Sequence, residues 1–140
     1  HPGAAAIVPI TAAGDVILVR QSRHALGRYL LEIPAGKLSP GEDPAACAAR
    51  ELEEEVGHRA GRLEPLGALV PAPGFADEVI HLFLASDLAA TAQNLDEDEV
   101  LSIELLHLDR AVDTALGGEI DDSKSAVAIL RAAAKLGNFG

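Results

Sequence analysis

The sequence predicts a single α/β domain over residues 1–140, built on a mixed β-sheet with helices on both faces (α+β in some schemes). Three observations predict it. The apolar stretches at 16–19, 79–85 and 100–108 are nearly continuous rather than alternating, the mark of strands covered on both sides. One sharply punctuated helix, 44–56, interrupts the strands in mid-chain. Two further helices follow near the C-terminus, so helical surface is at hand for both faces of a sheet.

Each element has its own signal. Ala4 to Ile10 is a short apolar strand, and Ala13-Gly14-Asp15 reads as a turn. Val16-Ile17-Leu18-Val19 is β-branched and apolar, and its pairing with the first strand reads as a hairpin. Arg20 to His24 turns polar. Tyr29 to Ile33 is a strand stopped by Pro34. Asp43 suits an N-cap, Pro44 the first helical position and Gly57 the left-handed residue after a helix, which places the box helix at 44–56. Strands follow at 62–70, 79–85 and 100–108, with Pro71-Ala72-Pro73-Gly74 a loop and Thr91 to Glu99 a polar loop carrying Asp96-Glu97-Asp98-Glu99. His81 reads as a satisfied sheet residue. Asp109 is expected to cap a helix to Leu116. Asp121 or Asp122 caps a last amphipathic helix to Leu136.

Composition narrows the function. The 140 residues suit one domain, and 49% apolar content calls for a packed core made mostly of Leu, Val, Ile and Ala, since there are three Phe, one Tyr and no Trp. A net charge of −11 argues against nucleic acid and anionic membrane surfaces as partners. It also means that an anionic substrate would need bound cations. The single Cys permits no intrachain disulfide, so a reducing, cytoplasmic setting is the expectation, and Cys47 reads as a small packing residue. No run reaches the length of a membrane span and no signal peptide is visible. The opening His1-Pro2-Gly3 reads as a trimmed end.

The chemistry concentrates in residues 36–58. Glu51, Glu54 and Glu55 stand at i, i+3 and i+4, which on a helix spreads them over an arc of roughly 100°. Ala45, Ala48, Ala49, Leu52 and Val56 share a neighbouring arc, so one face packs while another gathers three acids. Carboxylates that close repel one another unless a cation lies among them. Hard divalent cations such as Mg²⁺ take oxygen ligands of this kind and serve phosphate chemistry. A solvated acidic face would account for the glutamates but not for Gly36, Glu42, Arg50 and Gly57, which stand at fixed distances from them.

Gly36, Glu42, Arg50-Glu51-Leu52, Glu54-Glu55 and Gly57 fit the pattern G-x5-E-x7-R-E-U-x-E-E-x-G-U, with U a bulky aliphatic residue. This resembles the Nudix box. All seven fixed residues are present; the last U is His58, a departure that bears on packing more than on chemistry. The run Glu32-Ile33-Pro34-Ala35-Gly36-Lys37, Pro73 sixteen residues past Gly57, Pro73 to Glu78 followed by His81 to Ala85, and Gly118 to Lys124 are similar to the ADP-ribose pyrophosphatase branch of that family. The resemblance implies an α/β/α sandwich and hydrolysis of a diphosphate joined to a second moiety.

It also implies roles. Glu51, Glu54 and Glu55 hold Mg²⁺ (or Mn²⁺), with the carbonyl of Ala35 completing a site. Arg50 pairs with Glu54 or a neighbouring acid and orients it, and Glu42 does the same or favours the first helical turn. Glu53 projects away from this arc. The base that takes a proton from the attacking water comes from the late acidic loop, as Glu99 or Glu97, or from the box itself as Glu54 or Glu55. Arg23 and Arg28 suit a phosphate, Glu32 suits hydroxyl or ring donors, and Tyr29 could stack on a base. Pro73, Gly74 and Glu78 line the substrate side. The expected ligand is a small nucleoside diphosphate, ADP-ribose or a relative giving AMP and a sugar phosphate. The alternatives are a nucleoside triphosphate, a dinucleoside polyphosphate or coenzyme A, and a sensing module that does not cleave. Members of this branch commonly form homodimers through extra N-terminal strands, which this chain has only briefly or not at all.

Overall fold

The computed structural model of the chain describes residues 1–92 and 102–137. Among the described residues seven strands and three helices follow in the order β1 (Ala4–Pro9), β2 (Asp15–Arg23), a 3₁₀ turn at His24–Leu26, β3 (Arg28–Glu32), β4 (Ala35–Lys37), α1 (Pro44–Val56), β5 (His58–Leu69), β6 (Ile80–Ala90), β7 (Ser102–His107), α2 (Leu108–Leu116) and α3 (Ser123–Lys135). They form two sheets. One has the order β4-β1-β6-β5 and is mixed, β1 and β6 being parallel; the other has the order β3-β2-β7 and is antiparallel.

The apolar stretches of β1, β2 and β6 are covered on both faces, as their composition requires. The expectation of a doubly covered strand at 100–108 is corrected: β7 is the edge strand of its sheet and leaves Ile103 and Leu105 exposed. On β1, Ala4, Ala6 and Val8 face a core shared with α2 and α3, while Ala5 and Ile7 face a core shared with α1. Strands β2 and β6 divide in the same way: Val16, Leu18, Leu82 and Leu84 on one side, Ile17, Val19, Phe83 and Ala85 on the other. Among the described residues no helix is long and apolar enough to cross a membrane.

Helix α1 has the predicted bounds. The Asp43 carboxylate accepts hydrogen bonds from Ala45 N and Ala46 N at 3.1 and 3.3 Å, Pro44 opens the first turn, and Gly57 closes the last with φ 65°. Several expectations are corrected. β1 and β2 do not make a hairpin: they belong to different sheets and touch through a single bridge, Ile10 to Val16. The polar residues 20–23 extend β2 beyond its apolar stretch by pairing with β3. β5 starts at His58, four residues early, because β6 runs on to Ala90 and supplies partners. His58, the departure from the aliphatic pattern, is half-buried with Nδ1 2.8 Å from the Val56 carbonyl oxygen. Helix α2 is capped by His107, whose ring nitrogen accepts from Asp109 N, and not by Asp109. Asp122, rather than Asp121, caps α3.

The two sheets meet at Ile33-Pro34. There the chain leaves β3 and enters β4, and Pro34 O accepts a 3.0 Å hydrogen bond from Ile7 N of the other sheet. This crossover lies directly before Ala35-Gly36, so it sets where the box begins.

Candidate active site

Arg50 organises the box. Its guanidinium donates to Glu42 through Nε and Nη2, both at 3.1 Å, to Glu51 at 2.8 Å, to Glu54 at 3.4 Å and to the Lys37 carbonyl at 3.3 Å. The expected partner Glu54 is therefore the most distant of three acids. Glu42, eight residues earlier, takes the bidentate bond and also accepts from Ser39 N at 3.0 Å. The hydrogen bonds from Arg50, and after them the one from the Ser39 amide, pull the Glu42 carboxyl down to about 2.

The metal-binding candidates differ in exposure. Glu51 and Glu55 are each 8% exposed and Glu54 is open to solvent on one side. Burial pushes the Glu51 carboxyl up; Glu54 adds to the shift, while Arg50 and a hydrogen bond with Glu55 oppose it. Glu51 sits against Gly36: a Cβ added there would fall on the Glu51 carboxylate. This explains the glycine that opens the motif, since any side chain would displace the acid. Among the described residues no three His, Cys, Asp or Glu side chains are already closed around a point that could hold a metal ion. Arg50 Nη1, bonded to both Glu51 and Glu54, holds two of the acids. The donor set is nonetheless all hard oxygen, with three glutamates on one arginine and Glu55 hydrogen-bonded to Glu51, and it fits a divalent cation. Glu53 points away and pairs with Arg59 at 3.0 Å. Cys47 is a buried packing residue, its thiol pushed up to about 11, burial being the chief cause.

Gly36 is also part of an open cleft of about 400 Å³ lined by the start of β1 and β6, the end of β2, β4, the ends of the loop before β6 and the N-terminus of α3. Arg23, Lys37, Lys124, Glu78 and Asp122 supply its charges. Arg23 also feels the field of Glu55, so the acids of α1 and the cleft share one electrostatic neighbourhood.

The substrate-side candidates fall out unevenly. Arg23 and Glu78 line the cleft. Arg28 pairs with Asp121 at 2.6 Å and does not line the cleft. Pro73 and Gly74 are exposed in the loop whose ends, Pro71 and Glu78, line it. Tyr29 is 60% exposed and is not a core residue. Glu32 is 2% exposed and does not line the cleft, although the two cations bonded to it do. Both its oxygens are taken: Arg23 Nε and Nη2 donate to them at 2.7 Å, and Lys124 Nζ donates to Oε1 at 2.7 Å. Burial works against its ionisation, but the bonds from Arg23 and the charge of Lys124 outweigh it and hold the carboxyl below its ordinary range. Glu32 thus anchors two cations. Lys124 itself, bridging Glu32 and Asp122, was not singled out by sequence; its partner lies 92 residues away and leaves no local signal. Glu97 and Glu99 lie outside the described residues.

An Arg-clamped acid helix facing a glycine turn, between helix-covered sheets, defines a class. The chain belongs to the Nudix family: the family model of the NUDIX domain matches residues 1–131. It is similar to the ADP-ribose pyrophosphatase of Bacillus subtilis (strain 168), at 44% identity over 131 residues, 92% of this chain and 71% of that protein. It is also similar to the methanol dehydrogenase activator of Bacillus methanolicus, at 44% identity over the same shares. A crystal structure of an ADP compounds hydrolase matches with a TM-score of 0.88 at 29% identity, over 99% of this chain and 74% of that one.

Proposed function

We propose that this Nudix pyrophosphatase hydrolyses the diphosphate bond of ADP-ribose or a related nucleoside diphosphate sugar, giving AMP and a sugar phosphate. The observation that carries the reading is the surplus of acids at α1 beside the cleft: Glu42, Glu51 and Glu54 share one Arg50 and Glu55 hydrogen-bonds Glu51, while Arg23, Lys37 and Lys124 line the space in front. The names of the relatives supply the substrate class.

Glu51, Glu54, Glu55 and the Ala35 carbonyl would hold Mg²⁺, with Mn²⁺ as a substitute. Such a cation, when bound, neutralises diphosphate charge and lowers the pKa of water. The chain's own residues do the rest. Arg50 fixes the acids in place. Arg23 and Lys37 offer positive charge to the phosphates, and Glu78 lines the same cleft. Glu99 or Glu97 takes the proton from the attacking water. We place the enzyme in the cytoplasm as a homodimer acting on small nucleotides.

The test is a panel of ADP-ribose, other nucleoside diphosphate sugars, nucleoside triphosphates, dinucleoside polyphosphates and coenzyme A, incubated with Mg²⁺ and resolved by mass. ADP-ribose or a close relative is expected to be cleaved first. Cleavage of triphosphates far above ADP-ribose would reassign the substrate, and cleavage of none would end the enzyme reading.

A further inference from the structure

The crossover Ile33-Pro34 has one amide donor, because Pro34 has no N–H. Ile33 is buried and its N–H has left the β3 ladder, so it needs a partner inside the protein. That partner is the hydroxyl of Ser125, 2.9 Å away and 92 residues later in the chain. Ser125 is fully buried at the third position of α3. Capping does not require its hydroxyl: Asp122 already accepts from Ser125 N at 3.2 Å. The hydroxyl instead donates to Asp122 at 2.5 Å and accepts from Ile33. Asp122 in turn holds Lys124 at 2.9 Å, and Lys124 holds Glu32, the residue on the other side of Ile33. Thus the N-terminus of α3 grips the crossover at two consecutive residues. Just past Pro34 come Ala35, whose carbonyl belongs to the proposed metal site, and Gly36, the seat of Glu51.

We propose that Ser125 is a positioning residue for the metal-binding backbone: its hydroxyl pins Ile33 N–H and thereby holds Ala35-Gly36 against the acids of α1. The proposal rests on the box being a metal site, but not on the identity of the nucleotide. It makes α3 part of the active-site machinery, although α3 lies across the sheet from α1 and supplies no ligand.

The experiment compares Ser125→Ala with Ala128→Gly, which weakens the same helix one turn on while leaving the Ser125 hydroxyl in place to accept from Ile33 N. Mn²⁺ affinity is measured by electron paramagnetic resonance at a temperature where both are folded. Amide exchange of residues 35–37 is followed without metal, and kcat and KM are measured on ADP-ribose. Ser125→Ala is expected to lose Mn²⁺ affinity about tenfold, the lower end for removing a group that orients ligands. It should also speed exchange at 35–37 and lower kcat with little change in KM. Ala128→Gly should lower the melting temperature while leaving Mn²⁺ affinity and exchange at 35–37 as in the wild type. Equal Mn²⁺ affinity and exchange in Ser125→Ala and wild type would overturn the proposal, as would equal changes in both variants. A wild type that binds no Mn²⁺ would overturn the metal site beneath it, and the metal-free exchange would still show whether the pin exists.

Discussion

Two charged clusters flank the same short backbone, residues 32–37, and they are built on opposite principles. On the α1 side, Glu42, Glu51 and Glu54 pair with Arg50, and Glu55 hydrogen-bonds Glu51. On the α3 side, Glu32 and Asp122 meet Arg23 and Lys124, two acids with two cations. The buried acid of the first cluster, Glu51, is pushed up by burial, while the buried acid of the second, Glu32, is held down by its cations despite burial. Both are carboxylates in low-dielectric surroundings; what differs is whether the protein supplies the counter-charge. The balanced cluster is complete within the chain and locks structure. The unbalanced one carries more acid than Arg50 offsets, which is why we propose it as a divalent-cation site.

This contrast can be broken by neutralising one acid in each. The largest effect is expected from Glu54→Gln or Glu55→Gln: kcat on ADP-ribose should fall a hundredfold or more, since ligands matter at least as much as the groups that orient them. Circular dichroism should show an intact fold, and the metal-free melting temperature should hold or rise as repulsion is relieved. Glu32→Gln should do the reverse on stability, costing about 3 kcal/mol by leaving Arg23 and Lys124 without their shared partner. Urea denaturation reads this, and an unchanged midpoint would show that the second cluster is not structural.

Gly36→Ala comes next. Its methyl would occupy the place of the Glu51 carboxylate. Divalent cation affinity measured by calorimetry should fall about tenfold, and full affinity would mean that Glu51 moves without consequence. The smallest effect is in pH dependence. Glu42 has a folded pKa of about 2 against an ordinary 4.5, so its contribution to stability is present above pH 5 and is lost as pH falls towards 2. Glu51, raised in the fold, has the opposite sign: without metal it costs stability at neutral pH, and the cost is relieved as pH falls through its folded value. Melting curves from pH 2 to 8, with chelator and with added Mg²⁺, should therefore show the metal's stabilising effect at neutral pH and its loss in acid.

Much of the first cluster was legible in the sequence because it is local. Asp43, Pro44 and Gly57 act on the backbone within one turn, so α1 was placed at its observed bounds, and helical spacing alone gathered its acids. Strand extents were less legible: β5 and β6 are long because each supplies the other's partners, and residues such as His58-Arg59-Ala60 carry no strand signal of their own. The β1–β2 hairpin was misread because adjacency in sequence was taken for pairing, whereas the chain changes sheets there. The second cluster was hardly legible. Glu32 looked like a substrate contact since its partners Lys124, Asp122 and Ser125 come about 90 residues later, and nothing near Glu32 announces that it is buried.

The account turns on the unbalanced acids being a catalytic cation site, and the direct measurement is AMP formation from ADP-ribose as Mg²⁺ is titrated, in the wild type and in Glu54→Gln side by side. The wild type should be silent with chelator, rise with Mg²⁺ and saturate, releasing AMP and ribose 5-phosphate in equal amounts, and Glu54→Gln should stay near the baseline throughout. AMP formation that ignores Mg²⁺, or that runs at the wild-type rate in Glu54→Gln, would contradict the account.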